Sequence, residues 1–214
     1  MTKQMLIVTG PQGAGNHLWS KIFSLHPKVY GWKSLLENYW EPHRFNEPFA
    51  EYWKNPDKLN EFDWSQSEQY VTSISVPLGI PNNEENPLWE PQLHNFLCKI
   101  HEQGVNAEFA VIGRDQTILN CQQTRIRTEP TLPLFEKQLK IINPQHFLSY
   151  ELLYLYKGEY LRQLTRQLNI DVAWNDPRVE EILAEDPNAK YIHSVDKNEL
   201  DMGNRKGIIF KTRP

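Results

Sequence analysis

The stretch Met5-Leu6-Ile7-Val8-Thr9-Gly10-Pro11-Gln12-Gly13-Ala14-Gly15-Asn16-His17-Leu18-Trp19 decides the fold. Met5–Thr9 is a short, continuous apolar run. That pattern predicts a strand buried on both faces, as in a parallel sheet. A glycine-rich turn follows, and Leu18, Trp19, Ile22 and Phe23 then recur at helical spacing. His26-Pro27 ends that helix. The opening unit is therefore strand, glycine loop, helix.

Further along, Tyr70–Val76 alternates and is β-branched, which predicts a strand. Trp89, Leu93, Phe96, Leu97 and Ile100 predict an amphipathic helix, with Pro91 in its first turn and Gly104 at its end. Glu108–Ile112 is a second buried strand, running into Gly113-Arg114-Asp115 and then a helix through Ile118 and Cys121. His146–Ser149 predicts another strand. Leu153, Tyr156, Tyr160, Leu161, Leu164 and Leu168 mark a long helix, and Asp176-Pro177 an N-cap. The tail is polar until Ile208-Ile209-Phe210. Strands alternating with helices predict a three-layer α/β/α domain with a mainly parallel central sheet. Such sheets bind ligands beyond the carboxyl ends of their strands. Two ends carry chemistry here: the loop after Thr9, and Gly113-Arg114-Asp115.

The chain has 214 residues, 39% hydrophobic and 23% charged, and reads as a single domain. No apolar run approaches the roughly 20 residues that span a bilayer, and no signal-peptide core is present. These features predict a cytoplasmic protein without a membrane partner, of bacterial or viral origin. Cys98 and Cys121 cannot build a disulfide scaffold, and their spacing is not that of a structural zinc site. His94 and His101 share a helical face, but no third ligand accompanies them. A net charge of -4 argues against a nucleic-acid surface, so any polyanion must meet a local pocket. The segment at about 28–69 is irregular and aromatic-rich; four of the 7 Trp fall between 32 and 64. Packing of these rings onto the core is the simpler reading, and a substrate wall or lid the sharper one.

Gly10-Pro11-Gln12-Gly13-Ala14-Gly15-Asn16-His17 has the glycine spacing of a phosphate-binding loop. Glycines let successive N–H groups turn around an anion, and the following helix offers its positive end. A nucleotide-hydrolysing loop needs Lys and then Ser or Thr where this chain has Asn16 and His17. No lysine reaches a terminal phosphate, and no hydroxyl is placed for Mg²⁺.

Pro11–Trp19 resembles the 5′-phosphosulfate loop of sulfotransferases. Leu25-His26-Pro27-Lys28-Val29, with Gly31 and Glu37, resembles the run after that family's first helix. Val111-Ile112-Gly113-Arg114-Asp115 resembles the strand whose arginine holds the donor 3′-phosphate. Leu148–Leu153, with the helix and Leu168-Asn169-Ile170 beyond it, resembles a late family segment. The four occur in family order over residues 5 to 170. The resemblance implies a P-loop-like fold that uses 3′-phosphoadenosine 5′-phosphosulfate (PAPS) as donor, releases 3′,5′-ADP and needs no metal.

In that reading Gly10, Gln12, Gly13, Ala14, Gly15, Asn16, His17 and Leu18 form the donor loop. Arg114 holds the 3′-phosphate, and Gln122 stands where the family places a serine eight residues on. Gly13 stands where the family often has a basic residue, so His17 is the replacement charge and a catalytic candidate. The general base is Glu37 by family position, with Glu41 and His43 as other candidates. Lys33 and Arg44 are candidate sulfonate contacts, Asp115 a candidate orienting partner of Arg114, and Arg125 and Arg127 candidate additions to the donor pocket. Arg205-Lys206-Gly207 matches a family tripeptide. Trp32, Tyr39, Trp40, Trp53 and Trp64 would face a small-molecule or carbohydrate acceptor bearing a hydroxyl or amine. The chain is short for the family, which leaves room for a homo-oligomer that completes the site. Two other readings stand beside this one: a nucleotide phosphotransferase with a degenerate loop, and a non-catalytic nucleotide-binding remnant.

Overall fold

A computed structural model describes residues 2–37, 46–79, 84, 87–127 and 130–185. Five strands form one sheet: β1 (Gln4–Pro11), β2 (Val29–Tyr30), β3 (Gln69–Val76), β4 (Asn106–Gly113) and β5 (His146–Ser149). Their order is β2-β3-β1-β4-β5, and every neighbouring pair is parallel. The helices are α1 (Asn16–Ser24), α2 (Ala50–Lys54), α3 (Leu93–Glu102), α4 (Gln116–Arg127), α5 (Leu132–Leu139), α6 (Tyr150–Leu164) and α7 (Arg178–Ala184). Two 3₁₀ turns, Lys33–Leu36 and Pro56–Glu61, complete the set among the described residues.

Alternation along the central strands fills two cores. Leu6, Val8, Ala110, Ile112 and Leu148 face one layer, where they meet Trp19, Ile22 and Phe23 of α1 and Leu153 and Leu161 of α6. Met5, Ile7, Ile74, Phe109 and Val111 face the other, against Phe49, Trp53, Phe96, Ile100 and Phe135. This is the expected α/β/α arrangement, with β1 in the middle and the glycine loop at its carboxyl end. No described helix is long and apolar enough to cross a membrane.

Several local expectations shift. Pro91 lies just before α3 rather than in its first turn, because Gln92 takes the cap position. The long helix contains a break at Lys157 (φ 45°, ψ -123°) and ends at Leu164, short of Leu168. Gly104 does end α3 with φ 72°.

The aromatic segment is mainly core. Phe49, Phe62, Trp64, Tyr70 and Tyr30 pack ring against ring, with Phe62–Trp64 centroids 4.7 Å apart and Trp64–Tyr70 4.9 Å. Trp53 is buried and donates from Nε1 to Thr72 Oγ1 at 2.9 Å. Trp53 and Trp64 are therefore packing residues, not an acceptor wall. Tyr39, Trp40, Glu41, His43, Arg44, Arg205–Gly207 and Ile208–Phe210 lie outside the described residues, as do the side chains of Arg125 and Arg127.

Glu47 ties this segment to the sheet. Its Oε1 accepts from the Thr72 hydroxyl at 2.7 Å and Ser73 N–H at 3.2 Å; its Oε2 accepts from Phe49 N–H at 2.6 Å. Tryptophan can only donate, so the Trp53 bond fixes the Thr72 hydroxyl proton toward Glu47. The short β2 covers β3 only at Gln69 and Tyr70, and the carboxylate takes up a β3 N–H beyond it. Burial pushes the Glu47 carboxyl up to about 8, against the pull of its three donors.

A carboxyl whose folded pKa is raised binds more protons folded than unfolded. Stability then falls as pH rises from the unfolded value, 4.5, to about 8. Urea unfolding of wild type should lose up to a few kcal/mol across that window. Glu47→Gln cannot titrate and removes this component; its baseline is lower because an amide N–H₂ cannot accept from Phe49 N–H. An unchanged pH slope in Glu47→Gln would contradict the assignment.

Candidate functional site

The loop leaves β1 at Pro11 and enters α1 at Asn16. Its turn is closed by Ala14 N–H donating to Pro11 O at 3.1 Å. Gly13 has φ 85° and Gly15 φ 110°, backbone that other residues avoid. Gly10 is needed for space instead: a Cβ there would lie 3.2 Å from both Ala14 Cβ and Ile112 Cβ. Ala14 and Leu18 are buried in the α1 layer.

The loop's carbonyls are held from one side. Gln123 of α4, fully buried, donates from Nε2 to Gln12 O at 2.7 Å and accepts Thr131 N–H at 2.8 Å. Arg114 donates from Nη1 to Gly13 O at 2.5 Å and to Gln122 Oε1 at 2.9 Å. The Gln12 side chain is also committed to structure: its Nε2 donates to Gly79 O at 2.5 Å, and Thr131 Oγ1 reaches its Oε1 at 3.3 Å. Gln12 is thus a clamp on the loop, and its side chain is spent there.

By contrast, among the described residues the N–H groups of Gly13, Gly15 and Asn16 have no hydrogen-bond acceptor. Asn16 itself is buried, and its Oδ1 has no partner. Thr9 Oγ1, at the strand end just before the loop, is buried and unpartnered as well. Unmet polar groups of this kind are costly unless a ligand or water meets them. The open N–H groups lie at the positive end of α1, an arrangement of donors of the kind that suits an anion.

Arg114 stands at the neighbouring strand end. Its guanidinium lies 4.3 Å from the centre of the Tyr150 ring, a cation–π contact. Nη1 is used on the loop and Gln122. Nε and Nη2 donate to nothing among the described residues. Tyr150, the first residue of α6, is the member of this group that carried no role in the sequence reading. A Cβ on Gly15 would lie 2.7 Å from its ring. Burial pushes the Tyr150 hydroxyl up; a bond to the Tyr154 hydroxyl and its charge push the same way, while Arg114 pulls down. The signal for Tyr150 was its position at the carboxyl end of β5, where ligand sites of parallel sheets gather. Nothing in the sequence marked Gln123, Thr131 or Glu47.

On the other side of the loop, the His17 ring lies 5.2 Å from Trp32. Trp32 is buried and opens the 3₁₀ turn that ends at Leu36, and exposed Glu37 follows. So Gly13, Arg114 and Gln122 come together, and His17 joins Trp32. His43, the other base candidate, lies outside the described residues.

Two further expectations, for Lys33 and Asp115, are corrected. Lys33 caps α1: its Nζ donates to Ser24 O at 2.6 Å and His26 O at 2.8 Å. Burial, then Arg178, lowers its pKa. Asp115 caps α4, its Oδ1 accepting from Ile118 N–H at 2.9 Å, and Arg114 is held instead by Gly13 O, Gln122 and the Tyr150 ring. Its own N–H donates to Glu151 Oε1 at 2.8 Å, joining the starts of α4 and α6. His94 lies 3.7 Å from Cys98 Sγ, and His101 packs at Ala107. Among the described residues no three His, Cys, Asp or Glu side chains are grouped to hold a metal ion.

Neither the models of known protein families nor the curated proteins give a match to this chain. The site's own geometry therefore carries the functional argument.

Gly15→Ala tests the loop's packing against Tyr150. Left-handed backbone and the ring contact should together cost about 1–3 kcal/mol in urea unfolding. In a Tyr150→Ala background, itself less stable, the further loss from Gly15→Ala should be smaller, because the ring is gone. A Gly15→Ala protein as stable as wild type would show that the loop does not hold this shape.

Proposed function

We propose that this chain is a sulfotransferase that binds PAPS at the Gly10–His17 loop and Arg114. One observation carries the reading. Open N–H groups at Gly13, Gly15 and Asn16 sit beside an arginine with unused donors, and that arginine is joined to the loop itself at Gly13 O. A nucleotide with phosphate on both its 5′ and 3′ sides presents two anions to two such cationic regions. A simple 5′-phosphate uses only the first.

In this reading the loop holds the 5′-phosphosulfate through backbone N–H groups and the Asn16 amide. That amide can turn to present its N–H₂, since Oδ1 has no partner to lose. Arg114 meets the 3′-phosphate with Nε and Nη2, a fork suited to two phosphate oxygens. Tyr150 stiffens it from below, and Gln122 fixes its third nitrogen. The acceptor oxygen or nitrogen attacks sulfur, the sulfur–oxygen bond to the 5′-phosphate breaks, and 3′,5′-ADP leaves. The acceptor proton passes to a base, with Glu37 and His43 as the candidates by position. His17, beside Trp32, stabilises charge on the departing phosphate and the sulfonate in flight. The acceptor is a small molecule or carbohydrate with a hydroxyl or amine. Asn16 and His17 in place of Lys and Ser or Thr speak against a metal-dependent phosphotransferase.

Arg114→Ala separates the two anion sites. It should weaken 3′,5′-ADP by about 10-fold or more, a charged hydrogen-bond pair's worth, and AMP much less. Titration calorimetry reads both affinities. Equal weakening of both nucleotides would mean that Arg114 serves only the loop.

A further inference from the structure

We propose that the free edge of β5 and the apolar residues bordering it form a twofold interface between two copies of this chain. The proposal does not depend on which ligand the loop binds.

Eight large apolar side chains are exposed among the described residues, and five of them fall between positions 141 and 156. These are Ile141 at 58%, Phe147 at 68%, Leu152 at 40%, Leu155 at 72% and Tyr156 at 59% exposure. Isolated exposed apolar residues are ordinary, but a concentration around one element marks an interaction surface. The element is an edge strand. Among the described residues β5 pairs only with β4, so its outer side presents backbone groups of the strand, apart from the Ser149 N–H, which the Tyr160 hydroxyl accepts at 2.9 Å.

Natural edges are usually blunted by lysine, proline or charge. This one is not. Charged residues make up 23% of the chain, yet between 141 and 156 there is no Lys, Arg or Asp. Glu151 is the one acid there, and it accepts from Asp115 N–H. His146 is turned to Glu108, with Nε2 and Oε2 2.9 Å apart. Depletion of charge is what distinguishes the centre of an interface from ordinary surface.

A second copy is the occupant that this surface fits. Leu148 points into the α1–α6 layer, so Phe147 points to the opposite face with its neighbour Val111. Leu152, Leu155 and Tyr156 lie on α6, on the Leu148 side. Exposed apolar groups thus occur on both faces of the sheet in the elements that adjoin β5 in the chain. A twofold axis perpendicular to the sheet runs the two β5 strands antiparallel and keeps each face with its own kind. Phe147 then meets its counterpart on one face, and the two α6 helices meet on the other. At roughly 200 Å² for a large side chain, the exposed parts of the five sum to about 600 Å² per copy. With the strand edge and a polar rim, that reaches the about 800 Å² per partner of a standard interface. The stretch itself carries no lysine or arginine and a single, already engaged acid, so little like charge sits at the centre of the contact, although each copy carries a net charge of -4.

Sedimentation velocity of the full chain at roughly 1–100 μM tests this. Wild type should be a dimer at the upper end of that range. Phe147→Glu with Tyr156→Glu places two charges per copy at the centre and should weaken association by roughly 100-fold or more. Both residues are exposed, so the fold should persist, and circular dichroism checks it. Hydrogen exchange of residues 146–149 gives a second readout in unaltered protein: protection should rise with concentration. A monomer throughout the range would overturn the proposal. So would a dimer that the substitutions leave intact, or strand-edge protection independent of concentration, which would mean that a segment of the same chain covers the edge.

Discussion

The fold's functional end depends on how two carbonyl groups are held. Gln12 O is taken by Gln123, and Gly13 O by Arg114. A peptide's N–H and C=O point in opposite directions, so holding Gln12 O toward α4 sends the Gly13 N–H to the other side, while the Ala14 N–H, opposite Gly13 O, closes the turn on Pro11 O. Positive φ at Gly13 and Gly15 makes that possible without strain. Tyr150 presses on the loop at Gly15 and on the flat of Arg114, so one ring couples the first strand's loop to the ends of the fourth and fifth strands. The loop thereby has its shape without a ligand, and in the proposed function preorganisation of this kind spares the nucleotide the cost of ordering it.

The second constraint lies on the far side of the sheet. Glu47 is a buried carboxyl that serves the backbone and a hydroxyl of β3, and an aromatic cluster surrounds the segment that carries it. The segment thus packs as part of the core. That explains why so many rings occur there, and why Trp32 is the described tryptophan of the segment that lies beside the loop, through His17.

The architecture was legible because its signals are local. Met5–Thr9, Tyr70–Val76 and Glu108–Ile112 are apolar or β-branched runs of strand length, and all three are strands. The pairing of Arg114 with the loop and with Gln122 was legible only through the strand-end rule and the spacing of eight; the bonds themselves join residues 101 positions apart and 8 positions apart. Gln123, Thr131 and Glu47 were invisible for a physical reason. A polar residue becomes a clamp only when the fold buries it against an unpaired backbone group, and no periodicity records that. Lys33 and Asp115 misled in the opposite way: they are charges near the site in sequence that cap helix ends in space.

The most direct measurement is thermal unfolding of the wild-type chain with 3′,5′-ADP, with AMP and with ATP–Mg²⁺. A ligand at 100 times its dissociation constant adds about 2.7 kcal/mol, or roughly 5–10 °C for a chain of this size. The account predicts that 3′,5′-ADP raises the midpoint by such an amount and that AMP does so far less. A shift with ATP–Mg²⁺ alone, or no shift with any of the three, would contradict it.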